Sequence, residues 1–127
     1  MTETQRILYI DDNQDHLLIV QAMLKREGYE CVTMSSPIKG LEEARSGDYQ
    51  LLLLDIQMPQ VNGIDMMEHL REKQQETGLR IVAITADSTV FSGKNPYEIG
   101  FDAHLSKPIM PMDLSRTVKS LLTAPTD

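Results

Sequence analysis

The chain contains one cysteine, Cys31, no tryptophan and only two phenylalanines. A single thiol excludes an internal disulfide and a cysteine-based metal cluster, so Cys31 is read as a small core residue. No apolar run is long enough to span a membrane and no signal peptide is apparent; with the lone thiol, this predicts a cytoplasmic protein without membrane contact. Basic residues are also scarce. Against 19 Asp+Glu stand 12 Lys+Arg, a formal net charge of -7, which predicts no direct nucleic-acid or anionic-lipid partner. Repeats, low-complexity tracts and linkers are lacking as well, so residues 1–127 are read as one domain, long enough to bury roughly two thirds of its unfolded surface.

What the chain does have is a set of short apolar runs that stop at polar residues. The clearest is residues 51–63, LLLLDIQMPQVNG, where four leucines end at Asp55. A continuous apolar run bounded by turn residues reads as a strand buried on both faces of a parallel sheet. Gln57, Pro59, Asn62 and Gly63 turn the chain directly afterwards, which predicts that Asp55 is presented at the sheet edge rather than buried. Residues 6–10 (RILYI) repeat the pattern and stop at Asp11 and Asp12; residues 80–84 (RIVAI) stop at Thr85, Ala86 and Asp87. Further strands are predicted over 29–34 and 101–105, the last followed by Ser106, Lys107 and Pro108.

Helical spacing fills the intervals. Leu17, Val20 and Leu24, with Leu18, Ala22 and Met23, predict a helix over 14–27 that Gly28 ends. Ser36 and Pro37 open a second, with Ile38, Leu41 and Ala44 inward and Gly47 at its close. Ile64, Met67 and Leu70 mark a third over 62–73, its methionines serving as packing. Gly93 and Pro96 interrupt the stretch 88–100, which predicts a short or irregular fourth helix with Asn95 as cap, Pro96 in the first turn and Gly100 after it. A final helix opens near Pro111 with Leu114, Val118, Leu121 and Leu122 inward. Five strands alternating with helices predict an α/β fold, a doubly wound parallel sheet with helices on both faces. Right-handed crossovers then bring every strand end to one edge.

That edge collects Asp11, Asp12, Asp55, Thr85 and Lys107. Two carboxylates ~5 Å apart at an effective dielectric of ~20 repel by roughly 3 kcal/mol, more than one lysine offsets across three acids. A hard divalent cation, Mg²⁺ or Mn²⁺, is the physical complement and leaves room for a phosphoryl oxygen. Asp55, projecting alone from the middle strand, reads as the nucleophile, with Asp11 and Asp12 bracketing the metal. The Thr85 hydroxyl, the Ala86 amide and Lys107 would receive the phosphoryl oxygens.

YIDDN at 9–13, LLLLDIQMPQVNG at 51–63, ITAD at 84–87 and LSKPI at 105–109 together resemble the receiver domains of two-component response regulators. The resemblance covers nearly the whole chain and implies a flavodoxin-like sandwich with strand order 2-1-3-4-5. It implies that Asp55 takes a phosphoryl group from a phosphohistidine on a histidine kinase or histidine phosphotransfer protein, and then alters an output surface. Asp12, Asp55 and the Gln57 main-chain oxygen would ligate the metal, Asp11 acting mainly through water. Thr85 would move toward the phosphoryl group while the residue three before Lys107 rotates inward. Receivers carry an aromatic residue there; this chain has His104, a partial substitute in volume that titrates near neutrality. Gln57 and Asp87 stand where the family tunes loss of the phosphoryl group. On this reading the chain is not an enzyme toward other substrates and catalyses only its own phosphorylation and dephosphorylation. Two other functions compete: a pseudo-receiver that binds partners without phosphorylation, and an aspartyl-phosphate phosphatase of the haloacid dehalogenase type. The phosphatase requires a second acid two positions after the nucleophile, where Gln57 stands.

Overall fold

The computed structural model describes residues 5–59, 61–87, 93 and 95–123. The leucine run forms β3 (Leu51–Asp55) at the centre of a sheet, paired in parallel with β1 (Arg6–Ile10) on one side and β6 (Arg80–Thr85) on the other. β2 (Glu30–Met34) adds beyond β1, and β7 (Ala103–Ser106) beyond β6. The order β2-β1-β3-β6-β7 is the predicted 2-1-3-4-5 once the five long strands alone are counted. Between β3 and β6 lies a two-residue hairpin, β4 (Gln57–Met58) with β5 (Val61–Asn62), too short to leave a sequence pattern.

Successive residues of a strand point to opposite faces, so the four leucines serve two cores. Leu52 and Leu54 pack with Met66, Met67 and Leu70 of α3 (Gly63–Thr77) and with Ala44 of α2 (Pro37–Ser46). Leu51 and Leu53 pack with Leu17, Val20 and Leu24 of α1 (Gln14–Arg26) and with Leu114 and Val118 of α5 (Pro111–Thr123). All four leucines are 0% exposed, each contributing about 2 kcal/mol through burial. Each α-helix follows a strand, so its N-terminus lies at the edge where the strands end. Asn13, Ser36, Asn62 and Asn95 cap four of these helices by accepting from the amides of His16, Lys39, Ile64 and Tyr97.

α4 is one turn, Pro96–Ile99, capped by Asn95 and followed by Gly100 at φ 125°. Residues 88–92 and 94 of that expected irregular stretch lie outside the described residues.

Several boundaries differ from the sequence expectation. α3 continues past Lys73 to Thr77 and stops at left-handed Gly78, whose amide donates to the Gln74 carbonyl. Its last turn is wholly polar and leaves no apolar signal. β7 begins at Ala103 because Asp102 caps the ladder ahead of it: its amide donates to the Ile81 carbonyl and its carboxylate accepts from the Ile81 amide, each at 2.8 Å. Ile38 is 63% exposed rather than inward. The inward position is Gly40, where an added Cβ would sit 2.7 Å from the Ile10 side chain. Leu18 is likewise exposed.

Candidate functional site: a carboxylate cluster at the strand ends

β1 and β3 are adjacent, so the acids that follow them are brought side by side. Asp11 is 0% exposed and Asp55 2%, which corrects the expectation that Asp55 is presented rather than buried. Asp55 is the last residue of β3 itself, paired in register with Ile84, and the β4–β5 hairpin folds back beside it. Asp12 is exposed at the mouth. One carboxylate oxygen from each of Asp11, Asp12 and Asp55 lies within 4.8 Å of the others.

Lys107 reaches the pair from the end of β7. Its Nζ is 3.0 Å from Asp55 Oδ2 and 3.1 Å from Asp11 Oδ2, and its amide is anchored to the Thr85 carbonyl at 2.9 Å. The Lys107–Pro108 peptide is cis. Backbone amides hold the other carboxylate oxygens: Asn13 donates to Asp11 Oδ1 and Gln57 to Asp55 Oδ1, both at 2.9 Å. Tyr9 donates its hydroxyl to Asp11 Oδ2 at 2.5 Å, and His16 Nδ1 stands 3.5 Å from the same oxygen.

Burial raises the Asp11 carboxyl, but hydrogen bonds from Tyr9 and the Asn13 amide, with the charge of Lys107, outweigh it and hold the group below the ordinary carboxylate value. For Asp55 burial prevails. Its carboxyl is raised despite the Gln57 amide and Lys107, and the charge of Asp11 pushes it further. Lys107 is raised: burial opposes its charge, but hydrogen bonds and charges from Asp55 and Asp11 prevail. The site therefore carries a surplus of negative charge in a buried setting, the donor set that suits a hard divalent cation.

Thr85, 1% exposed at the end of β6, offers its hydroxyl to Gln57 Oε1 at 2.6 Å, and the Ala86 amide donates to the same oxygen at 2.8 Å. The Asp87 amide donates to Thr85 Oγ1 at 3.0 Å, which places Asp87 at the rim. His104 is exposed on β7, opposite Ala83 in register. Asp11, Asp12, Asp55 and Lys107 thus meet directly; the Thr85 hydroxyl and the Ala86 amide are linked to the cluster through Gln57. Tyr9 was missed by sequence reasoning. It reads as one more apolar residue in a strand, yet standing two before Asp11 puts it on the same face, and that spacing was the available signal.

Residues 7–119 match the family model of the response regulator receiver domain. The chain belongs to this family. As a receiver it is a component of two-component signalling, and its acidic site is compatible with Mg²⁺ and aspartyl phosphorylation. This receiver is 30% identical over 118 residues to the alkaline phosphatase synthesis transcriptional regulatory protein PhoP of Bacillus subtilis, covering 93% of the chain and 48% of PhoP. It therefore spans about half of PhoP's length. It is 27% identical over 119 residues to the polar-differentiation response regulator DivK of Brucella ovis, covering 94% of the chain and 97% of DivK. Among solved structures it resembles the response regulator TrrA of Thermotoga maritima in complex with Mg²⁺–BeF, with TM-score 0.81, 30% identity and coverage of 93% and 99% of the two chains. Among the described residues of the receiver, no helix is long and apolar enough to cross a membrane.

Proposed function

We propose that the receiver is a phosphorylation-controlled switch whose phosphoacceptor is Asp55. The observation that carries this reading is the bridging of two buried carboxylates by one ammonium, Lys107, with a third carboxylate at the mouth. The carboxylate cluster supports a divalent cation at this edge, Mg²⁺ or Mn²⁺, as does the Mg²⁺–BeF complex of TrrA; Asp12, Asp55 and the Gln57 main-chain oxygen would hold it, with Asp11 acting through water. When bound, the cation supplies Lewis-acidic charge to the phosphoryl oxygens.

The chain's residues do the rest. A carboxylate oxygen of Asp55 attacks phosphorus as the P–N bond of the donor phosphohistidine breaks, the bonding pair leaving with imidazole; the ionised nucleophile needs no base. Lys107, the Thr85 hydroxyl and the Ala86 amide receive the developing oxygen charge, and in moving to do so Thr85 lets His104 turn inward and alter the output face. Gln57 and Asp87 set the rate at which water removes the phosphoryl group. Apart from this self-phosphorylation and dephosphorylation the domain is not an enzyme. Its donor is a histidine kinase or histidine phosphotransfer protein, and it works in the cytoplasm. The donor docks on the groove of about 200 Å³ lined by His16, Ile19, Val20, Lys107, Pro108 and Ile109, because that groove is walled by the lysine that touches Asp55.

Intact mass after incubation with a small acyl phosphate and Mg²⁺ tests the reading. One added phosphate is expected, absent without the metal and absent in Asp55→Ala. A metal-independent adduct, or one retained in Asp55→Ala, overturns it.

A further inference from the structure

Gln57 ties the two halves of the site together. Its backbone amide holds Asp55 Oδ1 at 2.9 Å, while its side-chain oxygen lies 2.6 Å from Thr85 Oγ1 and 2.8 Å from the Ala86 amide. The Ala86 N–H can only donate, so the atom facing it is the carbonyl oxygen of the carboxamide and not its nitrogen. One neutral sp² oxygen thus faces both donors that would receive a phosphoryl oxygen, and it lies nearer the Thr85 hydroxyl than that group's other acceptor, the Asp87 carbonyl at 2.9 Å. Gln57 is itself exposed, so burial does not account for this placement. Its backbone is pinned by the β4–β5 hairpin, where it pairs with Asn62, and the carboxamide reaches the Thr85 donors from there.

We propose that the Gln57 carboxamide is an internal surrogate for a phosphoryl oxygen, a gate that an incoming phosphoryl group must displace. Displacement is favourable because the anionic oxygen makes stronger, charge-assisted hydrogen bonds to the same two donors. The gate makes phosphorylation slower than at a site whose donors face water. Gln57 is a positioning residue here, acting through Thr85 and Ala86. The inference rests on the reading of Asp55 as phosphoacceptor.

The test compares wild type, Gln57→Ala and Gln57→Met, a variant of similar bulk without the carboxamide, in acyl-phosphate labelling and in Mg²⁺-dependent beryllofluoride binding. Releasing two neutral hydrogen bonds is expected to raise the labelling rate and the beryllofluoride affinity by about five- to tenfold in both variants. The amide resonance of Ala86 should shift in the unlabelled variants, a change that a merely structural role of Gln57 in the hairpin would not produce. If wild type labels at Asp55 and both variants match it within about twofold, the gate is refuted while the phosphoacceptor stands. A fast Gln57→Ala beside a slow Gln57→Met also refutes it, since bulk and not the hydrogen bonds would then be the barrier. If wild type labels nowhere at Asp55, the underlying reading fails first.

Discussion

At the scale of single residues, Lys107 compensates the pair Asp11 and Asp55, and its removal leaves two buried carboxylates facing each other. Lys107→Ala is expected to destabilise the metal-free fold by about 3 kcal/mol, with much of the loss restored by saturating Mg²⁺; urea unfolding with and without the ion checks this. Asp55 has the opposite sign. Its carboxyl is raised above the ordinary 3.8, so folding gains from its protonation below that value and loses the gain as pH rises through the folded-state value. Its ionised form works against the fold. Asp55→Asn is therefore expected to raise the melting temperature of the metal-free protein at pH 7, the advantage fading as pH falls toward 3.8. Asp11, held low, behaves conversely and contributes stability that is lost on acidification. Tyr9→Phe removes the hydroxyl that Asp11 accepts and should cost about 1 kcal/mol in the same unfolding assay.

At the scale of elements, Gly63 opens α3 directly against the backbone after β3: an added Cβ would lie 2.3 Å from Ile56 Cα. Gly63→Ala is expected to cost about 2 kcal/mol or more and to displace the hairpin that carries Gln57, which denaturation and the Gln57 amide resonance would register. The strands were legible because parallel strands buried on both faces read as unbroken apolar runs, and the site acids because a polar residue ending such a run stands out. Asp11, Asp12, Asp55, Thr85 and Lys107 were all found this way. The rest left no such mark. Tyr9 hides within an apolar run, the polar last turn of α3 carries no stripe, and each strand of the hairpin is only two residues long. The exposure of Ile38 follows from Ile10 filling the space over Gly40, a tertiary fact. The bond between Gln57 and Thr85 spans 28 residues and depends on where a loop side chain swings.

At the scale of the whole molecule, topology does the assembly. Five parallel strands with right-handed crossovers place residues from near the start, the middle and the end of the chain at one edge, and two apolar layers fix that edge rigidly. What this edge does with Asp55 is read by locating the phosphoryl group after transfer from a phosphohistidine donor, using borohydride to reduce the aspartyl phosphate to homoserine and mass spectrometry to read the peptide. Homoserine confined to position 55 is the predicted result; reduction at another aspartate with Asp55 unmodified would contradict the account.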